Sequence, residues 1–579
     1  MSHTLWMQSS AEVSRGLREI AALLIFAGAP KFKVTAYARA ADVVETVGEI
    51  GPLVEQERLS ELEGIGPALS AQIRELWQTG RSELLERLRS EQPVGAAELV
   101  QLAGMTPRRI RLLHAALGIG SVEDLRAACL GERVRRVPGF GKKTEAQLLA
   151  ACERWLERGP AQPVPVLLVQ ALERAAAIEQ ALLLEVERAH LVGALRRGEE
   201  TVRELSFVVV GDAARALRRV SEQRQVLRAD PETLTAQLSQ GLSLELHETP
   251  SSAVGNALLA HTGNARHVAR VQQRAHERGI SLNLVGEDSA RAARPAADSA
   301  CFDSEAALYA ALGLAFIPPE LRTGQGELEQ AEHADFSELV TLADVRGMVH
   351  CHTHYSDGKN SILEMAQAAH ALGMSYITIT DHSPSAHYAN GLALDRLKEQ
   401  WDEIAAAEEQ VPIRILRGTE SDILADGSLD FPDEILEQFE VVIASIHARH
   451  RMDREAMTRR LQRALALPVF KIWGHALGRI LNHREPFECD VLAVLDTLAE
   501  AKGAIELNSD PHRLDLPPLW IPAARERGIP FVISVDAHSL SGFDVVRYGV
   551  TMARRGGVRK AEVLNTSDAA TFAARVRPV

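Results

Sequence analysis

A chain of 579 residues is too long for one hydrophobic core, and three to five domains are expected. Its 46% hydrophobic and 25% charged residues describe a globular protein, and no apolar run approaches the ~18 residues of a membrane-spanning helix. The net charge of -14 excludes a protein that coats nucleic acid indiscriminately, while leaving room for local DNA contacts. Met1–Ser10 lacks the basic flank and apolar core of a signal peptide. Five scattered cysteines (Cys129, Cys152, Cys301, Cys351, Cys489), without a CxxC, point to reduced thiols in a cytoplasmic protein.

Residues 1 to 80 read as helices, broken at Gly28-Ala-Pro30 and resumed at Phe32–Tyr37. Leu62-Glu63-Gly64-Ile65-Gly66-Pro67 then precedes a helical segment, Ala68–Trp77. Helix, Gly-apolar-Gly, helix is the pattern of a helix-hairpin-helix. The glycines permit a tight turn, and the backbone N–H groups that open the second helix can hold a DNA phosphate without reading sequence. One copy is matched equally well by an ordinary αα-hairpin. A second copy, Val137-Pro138-Gly139-Phe140-Gly141-Lys142-Lys143 beside Arg135 and Arg136, favours phosphate contact. A third, poorer version at Leu102–Arg109 carries Thr106 at the second glycine.

On these residues the first 158 positions resemble the N-terminal part of a family X DNA polymerase. Lys33 followed by Ala36-Tyr37 resembles that family's 5'-phosphate pocket. The lysine that forms a Schiff base in the family's lyase chemistry corresponds to Gln72, and an amide cannot form an imine. After a Pro-rich joint (Pro160–Pro165), His190–Val202 resembles the palm motif Gly-Ser-x-Arg-Arg-Gly-Lys-Glu, with Ala194 at the serine. The resemblance implies three carboxylates around two Mg2+ ions, on two neighbouring strands. Here those positions read Glu204, Ser206 and Glu245. A serine cannot replace an anionic bridging ligand, and Glu reaches one methylene further than Asp around an ion that tolerates little distortion. The palm therefore reads as a pseudo-polymerase in which Mg2+ is not expected. Residues 255 to 320 resemble the polymerase thumb, and Gly324–Ala334 reads as a Gly/Glu/Gln-rich linker.

From 341 onward short apolar runs alternate with amphipathic helical stretches, the pattern of a distorted (β/α) barrel with its site at the strand C-terminal ends. His350 and His352 lie two apart on the first run, so a regular strand would aim both to one side, with Cys351 turned into the core. Asp357 follows. His382, Glu420, His447, His475, Asp536 and His538 then fall at or just beyond later runs. One His-x-His is most often polar surface, but nine such residues at one barrel mouth form a metal-ligand set.

These motifs resemble the PHP (polymerase and histidinol phosphatase) domain, in the version fused to bacterial family X polymerases. The resemblance implies up to three Mn2+ or Zn2+ ions, with Glu420 bridging and Asp536 and His382 among the catalytic residues. Arg449, Arg451 and Arg513 stand near the motifs and are candidates for holding the phosphate backbone, beside Lys33, Gly64, Gly66, Gly139, Gly141 and Lys142 in the hairpins. The expected organisation is a helical domain (1–80), a fingers-like helical domain (81–158), a degenerate palm (159–250), a thumb (251–322), a linker (323–340) and the PHP domain (341–579). The expected function is a metal-dependent 3'-5' DNA exonuclease of repair, monomeric and without membrane contact. It would act on gapped, nicked or primer-template DNA without sequence preference, with polymerase activity weak or lost. The alternatives are an active gap-filling polymerase, a small-molecule phosphatase and a non-catalytic DNA scaffold.

Overall fold

The computed structural model describes residues 10–577 apart from 28, 48–49, 56–57, 63, 80–81, 92–98, 100–101, 103–104, 159–163, 224–225, 239–240, 283, 285–298 and 470. The expectations for Met1–Ser9, Gly28, Ala103, Gly104 and Pro160–Pro163 lie outside the described residues. Among the described residues no helix is long and apolar enough to cross a membrane.

The described residues up to 164 that lie in regular structure are helical, and they make up most of one compact unit. Both expected hairpins are present. In each, a 3-10 turn (Leu59–Glu61; Val134–Arg136) leads through a left-handed glycine (Gly64, φ 83; Gly139, φ 89) into a helix (Pro67–Thr79; Lys142–Arg158). A positive φ costs glycine little, which is why it stands at both turns. The apolar residue between the glycines is the plug. Ile65 and Phe140 are buried, and their N–H groups donate to Leu62 and Val137 carbonyls at 3.0 Å. Around the four glycines the space is open, since a Cβ at Gly64, Gly66, Gly139 or Gly141 would meet nothing within 4 Å.

One apolar core runs from Val13 to Cys152, and helix Ser10–Phe26 packs on both Glu83–Glu91 and Pro107–Leu117. The expected division between 80 and 81 is therefore no break between cores. Two short hairpins bury too little surface to stand alone, so they share an interior.

In the second unit, strand Glu204–Val210 lies antiparallel to Arg188–Val192 and parallel to Ser243–Glu248. The thumb-like helices Val254–Thr262, Ala265–Glu277 and Glu305–Ala311 follow. The reading of 323–340 as a linker is corrected here. Glu327–His333 is a helix whose Leu328 and Ala331 pack into the thumb core. Glu327 itself is buried and receives hydrogen bonds from Gly324 N and Gln325 N, both at 2.7 Å, and pairs with His267 Nδ1 at 2.7 Å. A polar composition concealed one buried helix turn.

The C-terminal region is a seven-stranded, all-parallel, nearly closed barrel. Its strands in chain order are Gly347–Cys351, Tyr376–Ile379, Arg414–Asp422, Val441–Ser445, Ile472–Trp473, Ala504–Asn508 and Phe531–Ser534. Every residue of the first, second, fourth, sixth and seventh is buried, as parallel strands covered on both faces require. The chain just after the last strand closes onto the first, through Val535 N to Val349 O (3.0 Å) and His352 N to Ala537 O (2.9 Å). Helix Ile362–Ala371, which begins with a Ser361–Glu364 capping box, packs between strand two and helix Leu394–Glu408.

The end of the palm motif docks on this barrel. Glu200 accepts hydrogen bonds from Arg555 at 2.6 Å and Arg479 at 3.3 Å, and Glu199 accepts one from Arg555 at 2.7 Å.

Candidate metal centre

His350 and His352 reach the same point by a route the sequence does not reveal. The first strand is irregular between Met348 and Cys351, and His350 adopts φ 68. Simple alternation therefore fails, yet the two imidazole centroids lie 5.1 Å apart. Cys351 turns into the core as expected. His475 (φ 22) and Asp536 (φ 48) are also left-handed, a conformation that costs non-glycine residues roughly 1–3 kcal/mol. Three of the nine candidate ligands thus sit on strained backbone, which re-aims each side chain into the barrel mouth.

The candidates form three overlapping groups, each with its ligand atoms within 4.8 Å of one another: His352, Asp357, His382 and His538; His350, His352 and Asp536; and His382, Glu420 and His447. His352 and His382 each belong to two groups. The ninth residue, His475, joins through Nε2, 2.8 Å from Glu420 Oε1. Glu420 is the hub. One of its oxygens faces His475, His447 (3.3 Å) and His350 (3.4 Å), and the other faces His382 (2.9 Å) and His352 (3.7 Å). It lies inside the third strand rather than beyond its end, a correction that leaves its aim unchanged.

The donor set fits metal ions. His350 Nε2, both ring nitrogens of His352, His382 Nδ1, His475 Nδ1 and Glu420 Oε2 are buried without a hydrogen-bond partner. A buried polar atom without a partner costs about 1–3 kcal/mol, and His350 Nε2, His352 Nε2 and His382 Nδ1, all facing Glu420, call for an electrophile. Imidazole with carboxylate suits Zn2+, Mn2+ or Fe2+. Electrostatics divide the rings: despite burial, Glu420 holds His447 up at about 10 and the hydrogen bond to Asp357 holds His538 up at about 9, protons that a bound ion would displace. Burial alone would favour a neutral Glu420, but His447, His350 and His382 hold its carboxyl well below the usual range. Burial and the neighbouring His382 push His352 down to about 3, leaving the neutral imidazole that a ligand must be.

The first strand of ligands is held by residues the sequence reading had not assigned. Glu506 is fully buried; it pairs with His350 Nδ1 at 2.5 Å and accepts from Ser534 Oγ at 2.6 Å and from the His475 N–H. Asp422 lies 2.9 Å from His447 Nδ1. Asp381 accepts from Thr353, Ser356 and Gln400, which fixes the turn after the first strand. Such carboxylates set the tautomer and orientation of a ligating histidine. The available signal for Glu506 was an acid inside the otherwise apolar run Ala504-Ile-Glu-Leu507.

Arg513 stands at the site. It is mostly buried, and its Nε lies 3.5 Å from Asp536 and 3.6 Å from Asp510, so its first partners are carboxylates of the site. Arg479 braces the same loop by donating to the Arg513 carbonyl at 2.8 Å. Arg449 and Arg451 are exposed, as are Lys33, Lys142 and Lys143. Gln72, at the lyase position, is hydrogen-bonded to Glu75 and Ser82.

In the palm, Ser206 stands directly opposite Glu245, and Glu204 opposite Ser243, so Glu204, Ser206 and Glu245 share one face. Ser206 is buried with its Oγ 2.8 Å from His247 Nε2. Burial, reinforced by the stacked ring of His261 at 3.5 Å, lowers His247 to about 3. Ser206 and His247 thus form a neutral serine–imidazole pair between Glu204 and Glu245 on that face.

The chain is similar to the "DNA polymerase/3'-5' exonuclease PolX" of Bacillus subtilis, with 33% identity over 96% of this chain and 97% of that protein. It belongs to the PolX family. Family matches are a helix-hairpin-helix domain at 9–82, a SAM-like helix-hairpin-helix tandem at 96–154, a DNA polymerase beta thumb at 257–323 and a PHP domain at 349–510. The barrel alone is similar to smaller proteins. A probable phosphatase of Caldanaerobacter subterraneus is 29% identical over 38% of this chain and 86% of its own length. A probable histidinol-phosphatase of Deinococcus radiodurans is 28% identical over 30% of this chain and 79% of its own.

Proposed function

We propose that this PolX-family protein is a metal-dependent 3'-5' exodeoxyribonuclease. The PHP barrel would carry the chemistry, while the hairpins and thumb hold gapped, nicked or primer-template DNA during repair. The observation that carries this reading is that five histidines face Glu420 while Asp357, Asp536 and His538 join the same cluster through His350, His352 and His382, in one chain with two open-turned hairpins. Mn2+ or Zn2+ held there would supply Lewis acidity and lower the pKa of a water that attacks phosphorus. The chain's own residues do the rest. Glu420, Asp536 and Asp357 would hold the ions together with the histidines, which bind once deprotonated, and Glu506 and Asp422 orient the rings of His350 and His447. Arg513, beside Asp536, is placed to meet a phosphate oxygen once charge is balanced by metal.

Polymerase chemistry in the palm is weak or lost on this reading, because Ser206 is engaged with a neutral His247. The family resemblance and the barrel's smaller relatives leave a phosphomonoesterase as the second reading. The two hairpins, which a small-molecule phosphatase has no use for, count against it. We also infer a cytoplasmic monomer.

Two measurements test the reading separately. Chelation should stop release of 3'-terminal nucleotides from a labelled strand, and Mn2+ should restore it. Replacing Lys142 and Lys143 together by glutamate should weaken DNA binding about tenfold or more at low salt and lower the salt slope by about 2. Release that survives chelation, or binding unchanged by the double substitution, contradicts the corresponding half.

A further inference from the structure

Outside the ligand set, Tyr388 stands at the rim of the site. Its side chain is 70% exposed, although its ring centroid lies 6.1 Å from that of His382 and 6.2 Å from that of His447. An aromatic body left in water at a charged rim contributes nothing to the fold's core. The backbone nonetheless fixes it there. Tyr388 sits in the short turn His387–Ala389, between the buried Ala386 and Ala389. Gly391 N donates to Ala386 O at 3.1 Å, and Leu392 N donates to the carbonyl of the ligand His382 at 2.8 Å. Asn390, in the left-handed region, donates from Nδ2 to Tyr355 O at 3.2 Å. The turn is therefore tied directly to His382, and the backbone that carries Tyr388 is held at the rim of the site.

We propose that Tyr388 is a stacking platform for the unpaired base of the nucleotide being released, so that the site takes nucleotide-bearing 3' ends in preference to base-free phosphodiesters. This deepens the exonuclease reading and rests on it. A phosphodiester lying against Glu420 and His447 carries its base one sugar away, the reach of the Tyr388 ring. Every base offers a π-face, so such contact is indifferent to sequence, in keeping with hairpins that hold only phosphates. A base can lie on the ring only when it has left its partner, so frayed or mismatched ends are the favoured substrate.

The experiment compares two oligonucleotides, identical except that the 3'-terminal residue is thymidine in one and an abasic tetrahydrofuran unit in the other. They are cleaved by the full-length, Mn2+-loaded protein as wild type, Tyr388→Ala and Tyr388→Phe. Wild type should favour the base-bearing end by roughly 5- to 100-fold in kcat/KM, the range that aromatic stacking supplies. Tyr388→Ala should bring that ratio close to one, and Tyr388→Phe, which keeps the ring, should preserve it. A ratio near one in wild type, or an alanine variant that keeps the wild-type ratio, overturns the stacking role and leaves the nuclease standing. Failure of wild type to cleave either oligonucleotide overturns both.

Discussion

Replacing Glu420 with glutamine is expected to lower phosphodiester hydrolysis by about 10³-fold or more, with DNA affinity changed by less than about twofold. The size follows from what the carboxylate faces. Histidines from the first, second, fourth and fifth strands, or from just beyond them, point at its two oxygens. Glutamine keeps the volume but offers one oxygen and no charge, so it cannot serve ions on both sides. Metal ions supply several kcal/mol of transition-state stabilisation, and each ~1.4 kcal/mol is tenfold in rate. DNA affinity should persist because the hairpins and their lysines lie in the helical unit. Single-turnover hydrolysis and a binding isotherm on the same preparation check both parts. Loss of DNA binding together with activity would mean that the ions hold the fold and do not act on the phosphate.

Glu506→Ala should reach nearly as far from a residue that touches no ion. It would leave His350 Nδ1, Ser534 Oγ and the His475 N–H unpaired in a site with no exposure to solvent. Removing one partner of a buried charged pair costs about 3–5 kcal/mol. Loss of a residue that orients a ligating histidine weakens metal binding by about 10- to 100-fold. The expected results are a Tm lower by roughly 10 °C and weaker Mn2+ binding by calorimetry. Glu506→Gln, which retains hydrogen-bonding atoms at the same reach, should fall between. An alanine variant with wild-type metal affinity would mean that His350 is oriented by the strained backbone alone.

What was legible in the sequence had a local physical signature. A glycine pair around an apolar plug specifies a hairpin, and the left-handed φ of Gly64 and Gly139 is what those glycines are for. Acids and histidines following buried strands specify a ligand cluster, and that cluster assembles around Glu420. What was not legible depends on partners distant in the chain. Glu506 reads as one acid in an apolar strand until His350, 156 residues away, is found against it. The supposed linker conceals Leu328 and Ala331 among polar neighbours, and only the thumb core shows where they pack. His350 and His352 come together although the backbone between Met348 and Cys351 does not alternate as a regular strand would, which no residue pattern shows. Proximity in sequence likewise does not reveal that Asp536 and Asp510 face Arg513.

The most direct test of the account uses a 5'-labelled primer annealed on a gapped template with Mn2+, with and without deoxynucleotides. The account predicts a ladder of shortened primers whether or not nucleotides are present, and no product longer than the primer. Extension on adding nucleotides would contradict it, because Glu204 and Glu245 would then hold the palm ions without help from Ser206.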